Sequence, residues 1–343
     1  MIRNLGALAF VLFAAWMGYQ AFKFIGFPTA PLTGSAAAVT LVALAGLNVD
    51  LPVSVRNFII LILGANIGTA VTPTVLQGAI LWPISLGILA VCVMAGLALS
   101  AWVLQRLFGF DRGTAVLASA PGHLSYVLTI AAETGRDVPA IAIIQTIRVL
   151  FLTLIVPPII TLTFGGSGVS FAPDSVMDVG AMLGLLVVSV PVALLLSQIK
   201  VPAAWLIAGM IVSAVAHGAD ITPGGLPPAV SNAALVFLGA LIGSRFAAAP
   251  AKVVMSYVLP GLVLTSLVIG VALAGVVIAV FLTGHTPALL IVAFAPGGVE
   301  AMAAIALSLG YNPAFVAAHH VFRLMVLSVL MPVISGRIGS SET

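Results

Sequence analysis

The chain has 343 residues, of which 62% are hydrophobic and only 6% carry a charged side chain, and its formal net charge is +3. This composition lies far outside that of soluble proteins and predicts an all-α membrane protein that crosses the bilayer many times. No stretch is long and polar enough for a soluble catalytic domain or a basic DNA-reading module, so we expect neither an enzyme nor a nucleic-acid partner. One cysteine excludes an intramolecular disulfide, and five scattered histidines argue against a metal centre or other cofactor.

About twelve apolar segments follow one another, separated by proline, glycine and nearly all of the charges. A bilayer span takes about 20 such residues, so we expect about 10–12 transmembrane helices in contact with lipid. The first segment follows Arg3 and resembles a signal peptide, but apolar sequence continues at once, and we interpret it as a retained span. The segments lie near residues 4–23, 28–47, 57–77, 80–105, 113–134, 138–163, 175–198, 202–217, 231–247, 253–282, 287–309 and 313–335.

Two of these segments contain proline and glycine in their middle rather than at an edge. The breaks read PGH at 121–123 and PGG at 296–298. Proline lacks a backbone donor, and a broken backbone within a bilayer is tolerated only where protein or a wet cavity surrounds it. We therefore expect an interrupted helix at each break, with free N–H groups at the following helix start that favour an anion.

The breaks belong to a pattern that occurs twice, 175 residues apart. Residues 120–158 align without a gap with residues 295–333, so that Arg148 meets Arg323. The same offset aligns the sequence LGANIG with LGALIG farther along the chain. Unrelated apolar helices do not keep proline, glycine and arginine in phase. The pattern predicts a duplication, with a first membrane repeat at 1–165 and a second at 166–343.

The basic residues decide between parallel and inverted halves. If the N-terminus lies inside, three arginines of the first half also lie inside, as the positive-inside rule expects; they are Arg56, Arg106 and Arg112. An even number of spans in each half places three basic residues of the second half outside, whereas inversion brings them inside; they are Lys200, Arg245 and Lys252. We therefore expect inverted repeats, in which one segment of each half fails to span or enters and returns.

Arg148 and Arg323 each lie about ten residues into a span, where arginine is costly and marks a functional candidate. A guanidinium binds a carboxylate or another oxyanion. Two interpretations stay open. In the first, each arginine binds a substrate anion; in the second, its role is structural, and it caps the carbonyls at the break or pairs with Glu300. The residues expected to bind substrate are Pro121, Gly122, His123, Ser125, Arg148, Pro296, Gly297, Gly298, Glu300 and Arg323.

Glu300 is a lone carboxylate one turn after the second break, and Ser125 holds the equivalent position after the first. A carboxyl group in apolar surroundings suits the uptake and release of a proton. His319 is expected to pack in the core, whereas His320 aligns with a glutamine and is expected to face the site. The candidates for coupling to H⁺ or Na⁺ are Glu300, His320, Gln145 and Asn66.

The order of these motifs resembles the AbrB-duplication family of bacterial membrane proteins. The resemblance implies a multi-pass protein of the bacterial cytoplasmic (inner) membrane. The doubled pattern is PxxxL, at Pro28 and Pro202, then LGxxIG, then APG before a helix with an intramembrane arginine. The resemblance covers nearly the whole chain and implies the superfamily of cation/proton antiporters and bile-acid-sodium symporters, which use inverted repeats with interrupted, crossing helices. Neither break carries the paired acids of the sodium/proton antiporters, so their ion mechanism is not implied.

The sequence therefore favours a secondary active transporter of a small anionic organic solute, bound where two interrupted helices meet. One alternative is a membrane sensor or regulatory protein without solute flux. Another, suggested by the label ammonia monooxygenase that such families have carried, is a metallo-oxygenase centred on His123, His320 and Glu300. Two GxxxG spacings, at 64–68 and 239–243, permit close helix contact and are consistent with a homodimer.

Overall fold

The computed structural model describes residues 2–47, 52–71, 82–122, 124–165, 175–219, 221–222 and 224–339. Within these ranges the regular structure is helical and contains no β-strand, which confirms the all-α class. The described residues form 15 α-helices, more than expected, because each interrupted segment forms two short helices and the segment near 253–282 forms one short and one long helix. In chain order the helices are α1 (Ile2–Phe24), α2 (Ala30–Leu44), α3 (Val53–Gly68), α4 (Trp82–Phe108), α5 (Arg112–Ser119), α6 (Leu124–Glu133), α7 (Val138–Phe164), α8 (Val179–Gln198), α9 (Ala204–Gly218), α10 (Pro228–Ser244), α11 (Ala251–Ser256), α12 (Val258–Thr283), α13 (Pro287–Phe294), α14 (Val299–Ser308) and α15 (Pro313–Gly339).

Seven of the described helices are long and apolar enough to cross a membrane; they are α1, α4, α7, α8, α10, α12 and α15. The apolar helices α2, α3 and α9 have only 15 or 16 residues. Each is therefore about 23 Å long, against a hydrocarbon core of about 30 Å. The chain is a multi-pass membrane protein, as its composition predicted. Its short helices are shorter than the hydrocarbon core is thick.

The helix bounds repeat at the offset that aligns the sequence. All six bounds of α5, α6 and α7 recur 175 residues later as the bounds of α13, α14 and α15. The entries to α2 and α9 also correspond, because Thr29 and Ala203 both adopt a left-handed backbone conformation, with φ of 53° and 54°. The predicted boundary between the repeats, at 165 and 166, adjoins residues 166–174, which lie outside the described residues.

Helices α5 and α6 form a hairpin that returns to its starting side. At its base, Arg136 Nη1 lies 3.0 Å from Asp111 Oδ1, and the Asp137 backbone N–H donates to Thr114 Oγ1 at 3.2 Å. The two arms have 8 and 10 residues, so each is about 12–15 Å long, about half the thickness of a hydrocarbon core. The first interrupted segment thus turns back on itself, since the ion pair at the base joins its two ends. In this it differs from the crossing helices that the resemblance implied.

Asp111 also caps α5, since its carboxylate accepts a hydrogen bond from the Thr114 backbone N–H at 3.0 Å. Partial burial acts to raise the pKa of the Asp111 carboxyl, but the hydrogen bonds with Thr114 and the charge of Arg136 outweigh it. The pKa therefore lies below its ordinary value. The carboxylate stays ionised near neutral pH, and the ion pair at the hairpin base persists there.

Helices α13 and α14 form the equivalent hairpin, but aromatic and imidazole rings build its base. The ring centroid of Phe315 lies 4.9 Å from that of His285, 5.6 Å from that of Trp82 and 4.0 Å from that of His319. His319 Nε2 lies 2.8 Å from Ser85 Oγ, so its polar edge is satisfied within the core. These contacts agree with the packing role expected for His319.

The two hairpin bases lie at opposite ends of α4. The first base follows the end of α4 directly, at Asp111, whereas the second contacts its first residue, Trp82. Because α4 has 27 residues and is about 40 Å long, the hairpins enter the molecule from opposite sides. The ion pair of the first base is not repeated, since Thr286 and Tyr311 occupy the positions equivalent to Asp111 and Arg136.

Close contacts at glycine join α3 to α9. Gly64 lies against the backbone carbonyl of Leu206, and Gly68 lies against that of Met210, with no room at either position for a side-chain carbon. Small residues let membrane helices approach closely enough for backbone contact. Since the contacts advance along both helices together, α3 and α9 run in the same direction.

The second glycine pair joins α10 to α2 in the equivalent way. Gly239 lies against the backbone of Leu32, and Gly243 lies against that of Ala36, so α2 and α10 also run in the same direction. Both GxxxG faces are therefore filled within one chain. The homodimer that these spacings were taken to favour stays an untested prediction.

Helices α3 and α10, by contrast, run in opposite directions. Arg56 in the first turn of α3 and Arg245 at the end of α10 line the same cavity, so the start of one helix lies beside the end of the other. It follows that α2 runs opposite to α9, which is its counterpart in the second half. The counterparts α3 and α10 are opposed in the same way.

Candidate functional site

Two adjoining cavities lie where the hairpin tips meet the start of α3 and the start of α9. Their volumes are about 320 and 280 Å³, in the range of small-molecule sites. We call the larger one the outer cavity and the smaller one, which reaches Arg148, Arg323 and both hairpin tips, the inner cavity. The residues that line both are Arg56, Val149, Ala203, Arg245, Gly298 and Glu300.

Arg148 and Arg323 hold the hairpin tips in place. Arg148 Nη2 donates to the Ala120 carbonyl at 3.3 Å, and Arg323 Nη1 donates to the Ala295 carbonyl at 2.7 Å. Arg323 Nη2 donates further to the carbonyl of Gly297. The interpretation that these arginines cap the broken helices therefore describes part of their role.

The same two guanidinium groups retain N–H donors without a protein acceptor. Both side chains are only 1% exposed, yet Nε and Nη1 of Arg148 and Nε of Arg323 have no hydrogen-bond partner. The two groups lie close enough to repel each other. In the described part of the chain the salt bridge between Arg136 and Asp111 is the single one, so neither buried arginine has a carboxylate partner. Buried charge without a counter-charge is costly, and the inner cavity therefore favours an anion.

Glu300 is the carboxylate that faces these cavities among the described residues. Its charge attracts Arg245, which Arg56 repels. The alternative in which Glu300 pairs with Arg148 or Arg323 is not formed here, because no such pair lies within 4.0 Å. Four arginines and one glutamate leave the combined cavity with an excess of positive charge.

Gln145 and His320 support the hairpins at equivalent positions. Gln145 Nε2 donates to the Leu117 carbonyl at 3.0 Å, and His320 Nε2 lies 3.1 Å from the Val292 carbonyl oxygen. Gln145 also lines the inner cavity, whereas His320 and Asn66 line neither cavity. Of the four residues considered for ion coupling, the structure thus brings Glu300 and Gln145 to the site.

Most of the residues expected to bind substrate meet at the inner cavity. The prolines of the two breaks, Pro121 and Pro296, are buried in the hairpin tips and do not line it. His123 and the side chain of Ser125 lie outside the described residues. The six expected residues that line the inner cavity are Gly122, Arg148, Gly297, Gly298, Glu300 and Arg323.

Arg56 and Arg245 were not predicted as cavity residues, because both were interpreted as charges outside the spans that report orientation. The structure places Arg56 inside the first turn of α3 and Arg245 directly after α10, so each lies at the end of a helix that borders the cavity. A signal was present, since Arg245 follows the LGALIG motif by two residues. A charge so close to a helix-contact motif indicates a place inside the bundle.

Comparison with known proteins extends the likeness through both halves. The chain matches the family described as "Transition state regulatory protein AbrB" over residues 31–338. It is 26% identical over 325 residues to the Escherichia coli (strain K12) protein named "Putative regulator AbrB", which covers 92% of this chain and 91% of that protein. It is 29% identical over 290 residues to "Uncharacterized protein YhjN" of Bacillus subtilis (strain 168), which covers 79% of this chain and 75% of that protein.

Proposed function

The chain belongs to the AbrB family, and we propose that it is a secondary active transporter, not an enzyme, that moves a small organic anion across the bacterial cytoplasmic membrane. The observation that carries the proposal is the pair of buried guanidinium groups, Arg148 and Arg323, with unsatisfied donors at one cavity. Ionisable residues at membrane depth mark solute pathways by default. Broken helices around a central cavity are a recurring design of secondary transporters.

We propose further that the two halves are inverted repeats. Two observations support this arrangement: α2 runs opposite to its counterpart α9, and the two hairpins enter from opposite ends of α4. Each half then contributes five spans and one hairpin that enters and returns. Inversion also places the basic residues Arg106, Lys200, Arg245 and Lys252 on one side, which is the cytoplasmic side by the positive-inside rule.

Cysteine labelling tests the inversion. In a chain that carries Cys92→Ser, the variants Arg106→Cys and Lys200→Cys are expected to react with a membrane-impermeant maleimide only in inside-out vesicles. The variants Lys23→Cys and Asp178→Cys are expected to react only in right-side-out vesicles, because α1 and α8 run in opposite directions. Mass spectrometry of the labelled protein measures the reaction.

The pair Lys23 and Lys200 is the matched comparison, since both follow the apolar part of equivalent helices, α1 and α8. Parallel halves place these two positions on the same side of the membrane. Labelling of both from one side therefore contradicts inversion. Cys92→Ser without an added cysteine supplies the background.

Coupling to H⁺ or Na⁺ is part of the proposed function, and Glu300 is the group that we assign to it. Glu300 lines both cavities and is attracted by Arg245. An anion bound in the inner cavity adds negative charge beside the Glu300 carboxylate. The added repulsion favours uptake of a cation by Glu300, which links solute binding to the ion gradient.

Reconstituted protein tests transport directly. Liposomes that contain the purified protein are incubated with a mixture of small carboxylates, sulfonates and phosphates, under an imposed pH or Na⁺ gradient. We expect at least one anion to accumulate in the lumen, as measured by mass spectrometry, and to stay outside protein-free liposomes. The accumulation is expected to disappear when the gradient is collapsed with an ionophore.

A sensor without flux is the second candidate, because the word regulator stands in the name of the Escherichia coli relative and regulatory in that of the family. The same preparation separates the two functions. A sensor binds a member of the anion mixture, and the binding raises its unfolding temperature with ligand concentration, but no anion enters the liposomes. Binding without entry across the whole mixture contradicts the transporter.

A further inference from the structure

Two of the arginines that line the inner cavity are buried, and no carboxylate of the described residues pairs with them. Arg148 and Arg323 are both buried, and the carboxylate at the site, Glu300, acts on Arg245 instead. Arg56 and Arg245 also line the inner cavity, but Arg56 is only half-buried and Arg245 is exposed, so neither is a buried charge like Arg148 and Arg323. A ligand with one negative charge therefore leaves one buried guanidinium uncompensated, whereas a ligand with two negative charges compensates both.

The two guanidinium groups also have equivalent positions in the duplicated fold. Arg148 extends from α7 to the tip of the first hairpin, at Ala120, and Arg323 extends from α15 to the tip of the second, at Ala295. The hairpins enter from opposite sides, so the two arginines approach the cavity from its two halves. Such a site matches a ligand with two equivalent anionic ends better than a ligand with one compact charge.

On the basis of the proposed transport function, we propose that the solute is a small dicarboxylate, with one carboxylate bound by Arg148 and the other by Arg323. Guanidinium groups bind carboxylates through charge-assisted hydrogen bonds, and both arginines have donors free for them. The inner cavity, at about 280 Å³, has the volume of about nine water molecules. That volume admits a four-carbon dicarboxylate.

The test compares succinate with butyrate, which has the same number of carbon atoms and one carboxylate fewer. Thermal unfolding of the detergent-purified protein gives the affinity for each, and uptake into liposomes gives transport. We expect succinate to bind at least about tenfold more tightly than butyrate and to be taken up in preference to it. The variants Arg148→Lys and Arg323→Lys keep the charge and are expected to retain part of this preference, whereas Arg148→Ala and Arg323→Ala lose it.

The outcomes separate this inference from the transport function. Uptake of butyrate as fast as succinate overturns the dicarboxylate and leaves anion transport standing. Uptake of inorganic phosphate with no uptake of succinate overturns it in favour of a compact dianion. If the folded protein takes up none of the three, and none of the wider anion mixture, the transport function itself is contradicted.

Discussion

Replacing either Arg148 or Arg323 by alanine is expected to lower anion uptake at least about thirtyfold. Removing one partner of a buried charge pair costs about 2–5 kcal/mol of binding, and each 1.4 kcal/mol is a factor of ten. The two variants should lose uptake to a similar extent, because their guanidinium groups hold equivalent positions and line the same cavity. Initial rates of uptake into liposomes, at solute concentrations below half-saturation, measure the loss.

Arg106→Ala is the matched control for these variants, since Arg106 is exposed at the end of α4 and lines neither cavity. Thermal unfolding of each variant must accompany the uptake assay, because Arg148 and Arg323 also cap the hairpin tips. A variant that unfolds near the wild-type temperature but takes up no anion has lost binding rather than structure. Wild-type uptake in both alanine variants contradicts the proposed site.

Leucine at Gly64 or at Gly239 is expected to destabilise the folded protein by about 3 kcal/mol or more. Overpacking of a close interface costs about 1–3 kcal/mol and occasionally more. The atoms in the way include the backbone carbonyl of Leu206 at Gly64 and that of Leu32, beside Ser35 Oγ, at Gly239, and a backbone carbonyl cannot rotate aside as a flexible side chain does. Loss of monodisperse protein after purification, and a lower unfolding temperature of what remains, measure the effect.

Gly87→Leu and Gly184→Leu are the controls, because neither glycine has a neighbour within 4 Å of an added side-chain carbon. Both lie inside helices, where leucine has the higher helix propensity, so these variants should fold at least as well as the wild type. If Gly64→Leu retains wild-type stability, α3 and α9 do not pack as closely as the structure shows.

The repeated helix bounds could be predicted from the sequence, because proline, glycine and arginine keep one offset through both halves. At each break a proline, which lacks a backbone donor, is followed directly by glycine, and this combination located the two breaks in the sequence. Local chemistry was enough for these features. The same reasoning brought Arg148 and Arg323 to one site, since each lies at a fixed distance after its break.

The positions of the basic residues predicted that one segment of each half fails to span or returns, but local chemistry could not show that this is the interrupted segment. Residues 113–134 are long and apolar enough to span a bilayer, and hydrophobicity does not show whether the chain turns back. The decisive contact joins Asp111 to Arg136, which are 25 residues apart, and a non-local pair leaves no periodic signal. The places of Arg56 and Arg245 escaped prediction for the same reason, because contacts between the two halves bring them to the cavity.

The two hairpins are anchored by different forces, and this gives the molecule an unequal response to ionic strength. Added salt screens the half-exposed Asp111 carboxylate from Arg136 and weakens the first anchor. The packed rings of Phe315 and His319 carry no such pair, and excluded salts strengthen apolar contacts of this kind. High salt therefore loosens the hairpin at one end of α4 and leaves the other hairpin packed. The same salt concentration on both sides of the membrane thus weakens only one half of the duplicated protein.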